Sequence, residues 1–418
     1  MSTSIGSSAK TSFLVLAIGC LLPGLLRADE NIAIKGGTFY TITQGVIEDG
    51  VLLIENGKIK DIGKALEIPR GYRTILAKGK VIMPGFVVAF SQVGLEGDVI
   101  SPDSLESGDA MTPQMRAIDG FYPFSRSIPR LRNRGVTTAA VFPAPGNLIS
   151  GQGAVLKMTG RVPKQMAIKT SCGLLFSLGE KSKRDSGMPK TRMGEMSLLR
   201  GLFLEMQKYL DKQRAYEKNM DESQKPRFDY SLDPIVSLTK GEYPAFVYCS
   251  KVQDIMNALS LADTYRFSLV LVDAQQANVV AEELARRNIP VLVVPQKSLW
   301  WDIEKNLWDP GNAAKLHRAG VPIAIIPGEG SPFGDEEMAL YAAFAVRNGL
   351  PEEEALNAIT LSPAKILGLE RRIGSLEKGK DADIVIFDGH PFRIKTKAEK
   401  VFIDGIIHEV KEVPSHEK

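Results

Sequence analysis

A chain of 418 residues with 52 basic and 49 acidic side chains carries a formal net charge of only +3, which excludes a protein held to nucleic acid by a basic surface. Hydrophobic residues make up 44% and charged residues 24%, a balance that builds a packed core and excludes general disorder. Three cysteines in the whole chain leave no disulfide framework to read.

The first 28 residues read as a secretory signal. Lys10 precedes an apolar run from Phe13 to Leu26, and Leu26-Arg27-Ala28 offers a cleavage site before Asp29-Glu30. Cys20 lies inside that run, but Ala17-Ile18-Gly19 before it fit a lipoprotein box poorly. Cleavage would leave about 390 residues with a net charge of about +1, which suits a large barrel with a smaller satellite domain. Export to the periplasm or medium is therefore expected, with no membrane span, since no second apolar stretch is long enough to cross a bilayer. Cys172 and Cys249 then remain as small buried residues.

From Asn31 to Ile62 the pattern is strand-like, and Glu55-Asn56-Gly57-Lys58 places an Asn-Gly hairpin turn between apolar runs. After Met83-Pro84-Gly85 short apolar runs alternate with longer helical patterns, the signature of parallel strands joined by crossover helices. Val136–Phe142, Ala245–Cys249, Ser268–Asp273, Pro290–Val294 and Val321–Ile326 are the buried strands. Leu199, Leu202, Phe203, Met206 and Leu210 recur at helical spacing between them, as do the apolar residues of Ile255–Leu261 and Val279–Leu284. Gly146-Asn147-Leu148-Ile149-Ser150-Gly151-Gln152-Gly153 lacks the lysine and hydroxyl of a phosphate loop and reads as a tight βα turn. At the end of the chain Ile384–Phe387 and a hairpin around Asp404-Gly405 return to the style of the first strands. The organisation expected is a signal at 1–28, one part of a small β-sandwich at 29–84, an α/β barrel of the TIM-type (β/α)8 kind at 85–368, and the rest of the sandwich with a tail at 369–418.

Three stretches, Val81-Ile82-Met83-Pro84-Gly85, Arg134-Gly135-Val136-Thr137-Thr138 with Ile149-Ser150-Gly151-Gln152-Gly153, and Gly374-Ser375-Leu376-Glu377-Lys378-Gly379-Lys380-Asp381-Ala382-Asp383, together resemble the amidohydrolase superfamily, in its imidazolonepropionase-related exported branch. The resemblance implies a TIM-type barrel beside a β-sandwich made from both termini, with one or two divalent metals at the carboxyl-end mouth activating water against an amide or cyclic amide.

Family members place His-x-His shortly after Pro-Gly, because imidazoles at i and i+2 of a strand point the same way. This chain has Phe90-Ser91-Gln92 there. Later ligand positions hold Tyr248, Asp273 and Gly328, with Glu329 one place beyond. Glu180, in Gly179-Glu180, matches the position of the family's bridging carboxylate. None of the four histidines, His317, His390, His408 and His416, matches a ligand position. No metal cofactor is predicted on these grounds. Trp300, Trp301 and Trp308 follow a barrel strand and stand near the mouth, where rings can stack on a ligand or plug a vacated pocket. No Gly-x-Ser-x-Gly elbow is present to support a serine triad. The sequence thus predicts an amidohydrolase-like protein without metal-dependent hydrolysis, acting by binding a small molecule or as a subunit beside an active amidohydrolase paralogue. The enzymatic alternative is an atypical hydrolase of carbon–nitrogen bonds that uses Glu180, Asp273 and Glu329.

Overall fold

The structure, a computed structural model, describes residues 30–95, 103–220, 225–295, 308–328, 334 and 336–410. The secretory signal expected at 1–28, Trp300, Trp301, Glu329 and His416 lie outside the described residues. The chain begins with β1 (Ile32–Lys35), β2 (Thr38–Tyr40), β3 (Val46–Glu48), β4 (Val51–Glu55), β5 (Lys58–Gly63), β6 (Arg73–Leu76) and β7 (Val81–Pro84). Barrel strands follow as β8 (Phe86–Ser91), β9 (Val136–Val141), β10 (Ile149–Lys157), β11 (Ala167–Ser177), β12 (Ala245–Cys249), β13 (Leu269–Asp273), β14 (Val291–Val293) and β15 (Ile323–Ile325). The last strands are β16 (Ile384–Phe387), β17 (Ala398–Ile403) and β18 (Ile406–Glu409).

Two sheets flank the barrel. One has the order β5-β4-β1-β6, and the other, β18-β17-β16-β7-β2-β3, takes strands from both ends of the chain. The joint is β7 against β16, antiparallel with Ile82 opposite Ile386. Ile34, Phe39, Leu52, Ile54, Ile82, Ile384 and Phe402 fill the space between these sheets. At the Asn-Gly hairpin Asn56 and Gly57 both take positive φ, as a tight two-residue turn between twisted strands requires.

The barrel sheet runs β15-β14-β13-β12-β11-β10-β9-β8. It is nearly closed, for β8 and β15 lie side by side and the segment between them binds both: Val87 N–H donates to the Ile359 carbonyl at 2.9 Å and Ile325 N–H to the Ala358 carbonyl at 2.8 Å. The expected TIM-type barrel with added β sheets is therefore present, with one departure from regular alternation. β10 is antiparallel to both β9 and β11. The segment Gly146–Gly153, read from sequence as a βα turn, supplies the first half of that strand. An antiparallel neighbour needs only a short connection and no crossover helix, so the helical punctuation between β9 and β10 is missing.

Helix Arg192–Asn219 carries the stripe Leu199, Leu202, Phe203 and Met206 against the barrel, and helix Val252–Tyr265 buries Ile255, Ala258, Leu259 and Leu261. Val279, expected on a core-facing stripe, is exposed because Ala277–Val280 winds as a 3-10 turn before the helix Ala281–Arg286 begins. Among the described residues no helix is long and apolar enough to cross a membrane.

Inside the barrel, Val87, Ala89, Ala140, Val155, Leu175, Val270, Val272, Leu292 and Ala324 form the packed centre. Three rings run through it toward the mouth. Phe246 lies 4.5 Å from Phe142, and Phe142 stacks on Phe90 at 5.2 Å between centroids. Two glycines make room for them: a Cβ on Gly153 would fall 2.3 Å from the Phe142 ring, and one on Gly173 would fall 2.4 Å from Phe246.

Candidate functional site at the barrel mouth

The carboxyl ends of the barrel strands, where a TIM-type scaffold presents reactive groups, bring the expected positions together in part. Phe90, Ser91, Gln92, Pro145, Tyr248, Val294, Ile326 and Pro327 line one small cavity of about 30 Å³, room for about one water molecule. Phe90 and Tyr248 are buried, and their rings occupy the space that smaller polar ligands would leave open. The Ser91 hydroxyl is taken up by the Ala140 carbonyl at 3.1 Å. The Gln92 amide nitrogen is buried with no hydrogen-bond partner among the described residues. Gly328, matched in the sequence to the family's last-strand acid, has no side chain to contribute.

Asp273 ends β13 with φ +69, and Ala274 follows at +25, a left-handed stretch that costs free energy in residues with a Cβ and is held by the packing around it. Its buried carboxylate accepts from the Ser250 hydroxyl and from the Gln275 side-chain amide, each at 3.3 Å. Gln275 is itself buried, and its amide oxygen has no partner among the described residues.

Glu180 belongs to a separate network. It opens a 3-10 turn after Gly179 and accepts from Lys183 and from Arg192, the latter at 3.2 Å. Lys183, then Arg192, hold its carboxyl below the ordinary glutamate value. Arg192 also forks onto the fully buried Asp254 at 2.6 and 2.9 Å. Gly179 is required here, with φ +88 and a Cβ position only 2.6 Å from the Asp254 carboxylate. Its N–H donates to Glu195 at 3.1 Å, and burial pushes the Glu195 carboxyl above its usual range. Arg192, Glu195, Asp254 and Gln275 were not among the sequence candidates. The nearest signal was the Thr191-Arg192 pair after Gly179-Glu180, with Thr191 accepting from Gly194 N–H as the helix cap.

The comparisons with known proteins agree with this frame. The sequence profile of the amidohydrolase family matches residues 313–410. The crystal structure of an amidohydrolase from Thermotoga maritima is 34% identical, covers 90% of this chain and 99% of its own, and superposes with a TM-score of 0.86. This chain belongs to the amidohydrolase family. Amidohydrolase tasK of Hapsidospora irregularis is 27% identical over 390 residues, 85% of this chain, which spans only 39% of that protein. An imidazolonepropionase of Thermoplasma acidophilum is 36% identical over 83 residues, 19% of this chain and 20% of its own.

Amidohydrolases usually bind divalent metals, so the donor set of this member is the relevant test. The mouth presents an amide at Gln92, a phenol at Tyr248 and a carboxylate at Asp273, and among the described residues no three His, Cys, Asp or Glu side chains cluster as a metal would require. His317 faces Glu354 at 3.8 Å, His390 packs against Tyr40 and Phe392, and His408 lies on β18. These residues do not fit zinc or iron, which take imidazole or several anionic ligands. The remaining described tryptophan of the loop, Trp308, is half-buried and its indole N–H has no partner among the described residues. Both described cysteines are buried, and burial pushes the Cys172 thiol up to about 12.

Proposed function

We propose that this amidohydrolase-family chain is an exported, imidazolonepropionase-related protein that has given up metal-dependent hydrolysis and works by binding, as a subunit beside a metal-bearing paralogue. The observation that carries the reading is the filling of the mouth. Phe90 and Gln92 stand where an imidazole pair would project, and Phe90, Phe142 and Tyr248 pack into the volume that metal and activated water would need. A pocket with room for about one water molecule and no imidazole among its lining residues lacks the ligand set that would hold a metal and turn that water into a hydroxide nucleophile. The export assignment rests on Lys10, the apolar run Phe13–Leu26 and the Leu26-Arg27-Ala28 site.

One observation favours a second reading, hydrolysis of a carbon–nitrogen bond by carboxylate chemistry. Asp273 holds a strained backbone at a strand end and keeps a buried polar shell of Ser250 and Gln275, an arrangement that clusters at active sites. Release of amine from a panel of cyclic amides and N-acyl amino acids, with and without a strong chelator, separates the readings. The proposal expects no turnover in either arm. Chelator-sensitive turnover overturns it, and chelator-insensitive turnover abolished by Asp273→Asn supports the carboxylate reading instead.

A further inference from the structure

The opposite end of the barrel holds a site of a different kind. β11 is 11 residues long, yet it pairs with β12 only from Leu174 to Ser177. Of its first seven residues, Gly173, Lys169 and Ala167 stand opposite Gly153, Val155 and Leu156 of β10, with irregularities between them, and among the described residues the stretch has no strand on its other side. Among the described residues no backbone group from Ile168 to Cys172 bonds across that second side, and the first such bond is Leu174 N–H to the Pro244 carbonyl.

This edge does not face open solvent alone. It borders a cleft of about 1010 Å³ under the amino ends of β12, β13 and β14, with the turn after helix Leu361–Ile366 as the far wall. The charge around the cleft is one-sided. Lys169, Lys365 and Arg287 line it against the single acid Glu242. Arg287 is neutralised by Asp263 and Glu283. Lys169 donates to the Leu367 carbonyl at 2.6 Å, and among the described residues neither Lys169 nor the exposed Lys365 makes an ion pair.

We propose that this basal cleft takes up an extended acidic peptide segment of a partner protein, which adds to β11 as a strand. An unpaired strand edge supplies a row of main-chain donors and acceptors that a peptide in extended form satisfies. Alternate side chains of such a strand point to one face, so acidic residues at every second position meet Lys169 and Lys365 together. The cleft lies on the face away from the mouth, and the proposal holds whether or not the mouth carries chemistry.

The test uses the full chain and a ten-residue peptide of alternating threonine and glutamate, with the threonine–lysine counterpart as control. Binding is followed by fluorescence anisotropy and by amide hydrogen exchange. Saturable binding of the acidic peptide is expected, with slowed exchange across Ile168–Cys172 and no binding of the basic one. The surface variant Lys365→Glu should weaken the affinity about fivefold, the reach of an exposed ion pair. Absence of saturable binding overturns the proposal. So does binding that leaves exchange at Ile168–Cys172 unchanged, and so does equal affinity for the basic peptide or for Lys365→Glu.

Discussion

The mouth of the barrel and its junction with the flanking sheets solve opposite problems. At the mouth, the candidate positions hold rings and an amide, and Phe90 and Tyr248 line the small space that remains above the Phe142 ring. At the junction, charge is concentrated and fully partnered. Lys157, buried at the end of β10, reaches Asp383 at 2.5 Å, Asp404 at 3.0 Å and Asp381 at 3.1 Å, while Lys58 and Arg372 also bind Asp381. Burial alone would depress the Lys157 ammonium, but Asp383, Asp404 and Asp381 outweigh it and raise its pKa. Burial raises Asp381 too, yet Lys157, Lys58 and Arg372 bring it below the usual carboxylate range. For Asp383 burial dominates, and its pKa is raised. Buried charge ties the barrel to the flanking sheets, while buried rings fill much of the mouth.

Breaking the junction should have the largest effect. Lys157→Met leaves three carboxylates facing one another with a cation missing, and stability should fall by about 3–5 kcal/mol in urea unfolding; a loss under 1 kcal/mol would show that the cluster does not hold the two units together. Next come the glycines beneath the rings. Gly153→Ala and Gly173→Ala each force a methyl group against Phe142 or Phe246 and should cost about 1–3 kcal/mol. Pairing Gly153→Ala with Phe142→Leu should recover part of that loss, a coupling that additive behaviour of the two substitutions would refute.

The pH dependence of the junction sharpens the contrast. Because the folded pKa of Lys157 is raised, its contribution is complete below the unfolded value of 10.5 and is lost as pH rises through the folded value. The gap in urea midpoint between the parent and Lys157→Met should therefore narrow above pH 10.5, and a constant gap would contradict the assignment. The smallest effect belongs to the half-exposed Glu180. Its pairing with Lys183 and Arg192 is largely solvent-screened, so Glu180→Gln should change stability by about 0.5 kcal/mol or less.

Much of the scaffold was legible because strand signals are local. Ala245–Cys249 coincides with β12, and Ser268–Asp273 overlaps β13 to within a residue. Gly146–Gly153 misled because its glycines suggested a turn. They are instead the price of proximity, leaving room for the Met115 backbone at Gly151 and the Phe142 ring at Gly153. The motif Lys378–Asp383 was visible as a signature, but its partner Lys157 lies more than two hundred positions away in the chain, and no local pattern marks such a pair. The same holds for Arg192 with Asp254 and for the ring stack, whose members come from different strands. Glu180 and Asp273 could be named as acids, while their partners, Lys183 and Arg192 for one and Ser250 and Gln275 for the other, are a matter of tertiary structure alone.

The central claim is that the mouth has no imidazole-based metal site. Elemental analysis of the purified protein, after incubation with zinc, iron and manganese and exhaustive dialysis, tests it most directly. The account predicts well below one tightly held metal ion per chain in the parent, and about one zinc ion per chain would contradict it.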